Sequence, residues 1–230
     1  MLLLMILVFF LDSTWLSNHV TFGQWIANVV TVSYFVWMYR RANLRIKRTM
    51  KYAVLIATVG EIVLCLILGM YEYRLENIPI YVPLGHAILY TTVWYITHDP
   101  WIVKQQSTLI PWMAIFTIVY AILLYVTDND MYGLICTFLL LILLLFNPTS
   151  RRFFFIMFFA VAYLEQLGTA FDCWYWHSTL LDQEGWINSG NPPSGISLFY
   201  FGLDMLCLGV YLFRKPAVRK RWRRPKELVN

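Results

Sequence analysis

The sequence predicts an all-α fold: a polytopic bundle of seven or eight transmembrane helices with a cytoplasmic C-terminus. Three observations predict it. Of 230 residues, 60% are hydrophobic and only 13% charged, about half the charged share of a soluble domain, and mean hydropathy is +0.59. Several apolar runs approach the ~20 residues that cross a bilayer. The cations are also sorted by side: of the 18 lysines and arginines, all but Arg74 fall in alternate breaks between those runs or in the tail.

Charged or turn-rich breaks delimit spans at 22–39, 52–71, 79–97, 108–127, 131–147, 153–172 and 195–213. The run Met1–Leu11 is too short alone. Carried through Trp15 to Asn18, with Asp12 as a polar interruption, it makes an eighth span. It has neither a basic n-region nor an A-x-A-like site, which argues against a cleaved signal peptide. Arg40, Arg41, Arg45, Lys47, Arg48 and Lys51 share one side with Lys104, Arg151, Arg152 and the tail from Arg214. The positive-inside rule puts that side in the cytoplasm. The other side collects Glu72, Glu76, Asp128, Asp130, Asp182 and Glu184, and a long loop from Cys173 to Ser194.

The expected organisation is one transmembrane domain over 1–213 and a basic cytoplasmic tail over 214–230, in a multi-pass protein of the bacterial inner (cytoplasmic) membrane. The tail suits anionic lipid headgroups, although a plain topogenic anchor explains it more simply. Because the cations follow topology, the net charge of +5 does not point to nucleic acid. Cys65, Cys136, Cys173 and Cys207 show no C-x-x-C spacing, and three of them sit in apolar segments, so no disulfide framework is expected.

Charge at membrane depth is costly, and four ionisable residues fall within the spans. At 1.5 Å per residue, His86 and Glu165 lie ~10 Å from the outer end, Asp204 ~13 Å and Glu61 ~15 Å. One stratum on four helices is the mark of a shared polar cavity. Helical phase sets Glu61, Cys65, Leu68 and Glu72 on one stripe, and Glu165, Gly168, Thr169 and Asp172 on another, whose small residues leave room for a helix or a ligand. Pro83, His86 and Tyr90 share a face, as do Ser197, Phe201 and Asp204. The expected site is a cleft opening outward. Glu165 and Asp204 form its central acid/base pair, with Glu61 and His86 tuning or relaying protons. Asp172 and Glu72 rim it, and Tyr90, Thr169, Ser197 and Trp176 complete the substrate lining.

Plainer roles stand beside these. Glu61 bonds a neighbouring threonine, His86 caps a carbonyl freed by Pro83, and Ser194 N-caps the last helix. Trp94, Trp101, Trp112, Trp174, Trp176 and Trp186 read mostly as an interfacial belt. The loop through Asn191-Pro192-Pro193-Ser194-Gly195 is tightly turned and reads as a lid over the cleft.

Several chemistries are excluded. No lysine lies deep in the last helix to hold retinal. His19, His86, His98 and His177 contain no H-x-x-x-H pair for a three-histidine zinc site, and Ser194 precedes only the final helix, unlike a rhomboid serine. No Walker motif, G-x-G-x-x-G or H-E-x-x-H is present, and no cofactor or metal-ligand spacing stands out. What remains is carboxylates and one histidine in a low-dielectric cavity, where a buried carboxyl keeps its proton and serves as general acid while a second acts as base. That equipment suits hydration or isomerisation of an apolar lipid or isoprenoid. The alternatives are a proton-coupled transporter, a lipid- or small-molecule-binding protein, and a structural subunit of a membrane complex. A missing inverted repeat and an inner half almost free of ionisable groups speak against transport.

Gly69-Met70-Tyr71-Glu72-Tyr73, then Pro79 and Val82-Pro83-Leu84, is similar to the G-x-Y-x-Y … G-V-P … I-P-L stretch of the carotenoid-biosynthesis membrane hydratases. Glu61 takes the place of the acid preceding that stretch. Asp172 with Trp174 and Trp176, followed by a Gly-x-Pro turn, resembles their late aspartate and W-x-W segment. The chain departs from the pattern at Gly85-His86 and at Asn191–Gly195. The resemblance implies hydration of a carotenoid or related polyene.

Overall fold

The computed structural model describes residues 1–183 and 187–213, apart from the side chains of 208 and 210–213. The basic tail 214–230, with its expected headgroup contact, and Glu184 and Trp186 of the long loop lie outside the described residues. Helices dominate: α1 (Leu2–Asp12), α2 (Thr14–Ser17), α3 (Gly23–Arg41), α4 (Leu44–Glu61), α5 (Tyr81–Thr97), α6 (Pro100–Asp128), α7 (Met131–Phe146), α8 (Arg151–Ala170) and α9 (Ser197–Phe213). The strands β1 (Tyr71–Tyr73) and β2 (Trp174–Trp176) form a two-stranded antiparallel sheet, with Tyr71 opposite Trp176, Glu72 opposite Tyr175 and Tyr73 opposite Trp174.

Local chemistry sets the helix ends. Asn43 and Asp99 accept the Ile46 and Trp101 amides through their side chains, capping α4 and α6. Pro100 occupies the first turn of α6, where its missing N–H costs nothing. Asn129 closes α6 in the left-handed conformation (φ 57°, ψ 35°), which asparagine tolerates better than most residues. After Glu61 the α4 ladder widens into a π-helical segment, Ile62–Ile67, and ends at Gly69 with φ 57°.

Among the described residues three helices are long and apolar enough to cross a membrane: Leu44–Ile67, Pro100–Asp128 and Pro148–Ala170, the last including a short 3₁₀ turn before α8. Leu2–Asp12, Met131–Phe146 and Ser197–Cys207 are shorter apolar helices. On α6 the large side chains Phe116, Val119, Leu123 and Val126 are exposed, a surface that suits lipid and not water.

The N-terminal run does not continue as one helix to Asn18. Ser13 is extended (φ −69°, ψ 154°), and its side chain caps the separate turn α2. Asp12 is fully buried and ion-paired with Arg74 at 2.6 Å, so it fixes the end of α1 instead of interrupting a span.

The bundle is organised around α5, which packs on α3, α4 and α8; α9 closes against α4, α7 and α8, and α1 lies on α3 and α8. At the opposite end from the sheet, Arg152 donates to Gln106 Oε1 (2.7 Å), tying the start of α8 to α6. The sheet lies at the ends of α4 and α8, where both chains turn back. Trp174 passes so close to α8 that a Cβ on Gly168 would come within 2.0 Å of its indole. The space left by the small residues of α8 is therefore filled by the protein's own tryptophan, not by a helix or a ligand.

Candidate functional site: two carboxylates in an aromatic cavity

Glu61 and Glu165 are each held by three side chains, two from one strand and one from a helix. Glu61 closes α4, just before the π-helical segment. Its Oε2 accepts the hydroxyls of Tyr71 (2.6 Å) and Tyr73 (2.7 Å), and its Oε1 lies 3.1 Å from His86 Nε2 on α5. Glu165 on α8 repeats the pattern. Its Oε2 accepts the indole N–H groups of Trp174 (3.0 Å) and Trp176 (3.2 Å), and its Oε1 accepts the Tyr200 hydroxyl from α9 (3.1 Å). Indole nitrogen can only donate, which fixes Glu165 Oε2 as an acceptor. His86 stacks on Tyr200 (4.6 Å between centroids, 21° between planes) and so joins the two clusters.

Period-two alternation builds this arrangement. In a strand, residues i and i+2 share a face. Tyr71 and Tyr73 therefore turn inward together, as do Trp174 and Trp176, while Glu72 and Tyr175 face out. All four inward aromatics are buried. Burial first, then the nearby Glu61 carboxylate, pushes the Tyr71 and Tyr73 phenols well above their ordinary range, so they stay donors.

Glu61, His86 and Glu165 line one cavity of about 90 Å³, with Tyr71, Tyr73, Trp174, Trp176 and Tyr200 among its walls beside mostly apolar residues such as Val8, Phe9, Leu64 and Leu164. A water needs only some 10–15 Å³ on the same scale. The cavity thus admits part of an apolar ligand. The faces of electron-rich rings attract cations, and two carboxylates add to that field.

The remaining residues named from sequence fall elsewhere. Asp204 lies outside this cavity and lines a smaller one with His86 and Tyr200. Tyr90 packs against Phe153. Thr169 donates back to the Glu165 carbonyl of its own helix (2.9 Å). The Ser197 hydroxyl is buried and finds no protein partner among the described residues. Trp176 is at the cavity wall.

Glu72 and Asp172 do not extend the stripes assigned to them. The helix of Glu61 ends before Glu72, which sits on the outer face of β1 and takes the Tyr175 hydroxyl. The helix of Glu165 ends at Ala170, and Asp172 (φ 54°) turns away to accept from Thr14 (2.8 Å). The plainer roles also change: His86 pairs with Glu61 instead of capping a carbonyl, and Ser194 Oγ caps nothing, since α9 begins only at Ser197. Trp174 and Trp176 are buried hydrogen-bond donors and not belt residues.

The long loop is anchored at both ends, by the strand pairing of Trp174–Trp176 and by Asp130. Asp130, fully buried, caps α7 through the Gly133 amide and also accepts the amides of Gly190 (2.8 Å) and Ser194 (2.6 Å). His177 lies between Glu72 (3.5 Å) and Asp182 (3.7 Å) on the outer surface. Among the described residues no group of three or more histidines, cysteines and acids is disposed to hold a metal, and all four cysteines are free.

Comparison with protein-family models, with curated proteins and with solved structures finds no match to this chain.

Proposed function

We propose that this chain is a multi-pass protein of the bacterial cytoplasmic membrane that holds an apolar isoprenoid or polyene in its aromatic cavity and hydrates or isomerises one double bond by acid–base chemistry. One observation carries the reading: two carboxylates, each held by three donors, and an imidazole meet in a cavity whose other walls are apolar and aromatic. In the proposed topology α3 through α9 cross the membrane, with the C-terminus inside. At ~16 Å for its eleven residues, α1 reaches only part-way. The strand pairing supports this arrangement. Both strands follow helices whose exits the charge distribution assigns to the outer face, and antiparallel pairing requires them on the same side.

The chemistry follows from the positions. The proton held between His86 Nε2 and Glu61 Oε1 passes to one alkene carbon; the π pair becomes the new C–H bond and leaves a carbocation next to it. The Glu165 carboxylate and the surrounding ring faces stabilise that charge. In hydration, a water lone pair forms the C–O bond and the water's proton returns to the Glu61–His86 pair, for a net gain of one water. In isomerisation, a neighbouring carbon loses its proton to the pair and the double bond shifts with no net addition. The segments similar to the carotenoid hydratases, 69–84 and 172–176, are those that supply Tyr71, Tyr73, Trp174 and Trp176, which supports the substrate class.

The test compares apolar lipids by mass spectrometry in membranes carrying wild type or the Glu61→Gln/Glu165→Gln variant at equal insertion. A hydrated or double-bond-shifted species present only with wild type is expected. Identical profiles would reassign the cavity to binding or proton-coupled transport.

A further inference from the structure

Asp204 takes no part in the steps above. The residue is half-buried, but one of its carboxyl oxygens is placed unlike those of the buried acids among the described residues. Both carboxyl oxygens of Asp12, Asp130, Glu61 and Glu165 are hydrogen-bonded, whereas Asp204 Oδ2 is buried and has no protein partner. A buried orphan of this kind calls for an explanation, and an ordered water is the usual one. The space for it is there. Asp204 lines a second cavity of about 10 Å³ with Ala57, His86, Tyr200 and Cys207, close to the volume one water requires.

The polar partners are there too. A buried water needs two to four. His86 uses Nε2 on Glu61, which leaves Nδ1, and Tyr200 gives its hydroxyl proton to Glu165, which leaves its oxygen lone pairs to accept. These two stacked rings line both cavities and form the partition between them.

We propose that the small cavity binds one water bridging Asp204 to His86, and that Asp204 is a relay residue exchanging protons with the Glu61–His86 pair. When the pair has given its proton to carbon, the Asp204 carboxyl proton passes to the water, and the water passes one of its own to His86 Nδ1. The proton released at the end of the reaction returns by the same route, so the cycle neither gains nor loses a proton. The relay rests on the function proposed above; the water site does not.

Infrared spectroscopy of the full chain in lipid nanodiscs, in ordinary and oxygen-18 water, tests it without any substrate. Wild type is expected to show a protonated-carboxyl C=O stretch that is lost in Asp204→Asn and displaced in His86→Gln. It should also show a water O–H stretch that moves in oxygen-18 water and vanishes in Asp204→Asn. A carboxyl band indifferent to His86→Gln, or no isotope-sensitive water band lost with Asp204, overturns the proposal. Should Asp204→Asn fail to insert, Asp204→Glu and His86→Gln decide the matter, since either must move both bands. A positive spectrum with an unchanged lipid profile keeps the water site and sinks the enzymatic reading.

Discussion

Asp12 and Arg74 show what a single residue does in this fold. Arg74 binds Asp12 twice, through Nη2 on Oδ1 (2.6 Å) and Nε on the backbone carbonyl (2.8 Å), and Tyr81 donates to Oδ2 (2.7 Å). Breaking a buried pair by removing one partner leaves an uncompensated charge, at a cost of about 3–5 kcal/mol. Arg74→Ala is expected to lower thermal stability in detergent by that order, measured by tryptophan fluorescence, and Asp12→Asn by less because Tyr81 and Gln24 can still bond the amide. In the sequence Asp12 is a blemish in an apolar run and Arg74 the one basic residue on the wrong side. Nothing in a linear pattern joins two positions 62 residues apart. Glu61, His86 and Glu165, by contrast, were legible because charge in an apolar span is itself the signal.

Tyr175 gives a pH-dependent case at the same scale. Its hydroxyl donates to Glu72, and that bond first, with a small contribution from burial, lifts the phenol above its ordinary range near 10. The folded state therefore favours the protonated phenol. The contribution to stability is whole below pH 10 and falls as pH rises through that value toward the higher folded-state one. Thermal midpoints followed across alkaline pH should fall more steeply in wild type than in Tyr175→Phe, which keeps only the loss due to the buried phenols such as Tyr71 and Tyr73.

At the scale of elements, periodicity decided which readings held. The helices fall close to the apolar runs because a long apolar run between charged or turn-rich breaks satisfies its own backbone groups as a helix. The stripes drawn through Glu72 and Asp172 assumed a 3.6-residue period beyond the last helical turn. By Glu72 the chain has passed through a π-helical segment and entered a strand of period two, and Asp172 is itself the left-handed residue that turns the chain toward the other strand. Tyr71-x-Tyr73 and Trp174-x-Trp176 carried that alternation openly, but three residues are too few to establish a strand from sequence, and tryptophan near a span end has a membrane-interface role ready to hand. The strand pair depends on Gly168. Gly168→Leu forces the Trp174 indole off α8 and away from Glu165; faster amide exchange across 174–176 and a red-shifted tryptophan emission are expected, while the helices stay intact. Unchanged exchange would mean the indole is not what couples the sheet to the bundle.

The whole molecule reads as a bundle closed at one end by its own loops. β1 and β2 wall the cavity at that end, and they supply four of the six side chains that hold the two acids. Because the strand residues that wall the cavity also hold the acids, the packing of the strands and the alignment of the acids are coupled. The central claim is that the Glu61–His86 pair protonates carbon in an apolar substrate while Glu165 stabilises the cation formed. Deuterium incorporation tests it most directly: membranes carrying wild type or Glu61→Gln/Glu165→Gln are incubated in heavy water, and their isoprenoids are analysed for carbon-bound deuterium. The account predicts a product with a new C–D bond in wild type and none above background in the variant. Equal labelling in both, or none in either with substrate available, would contradict it.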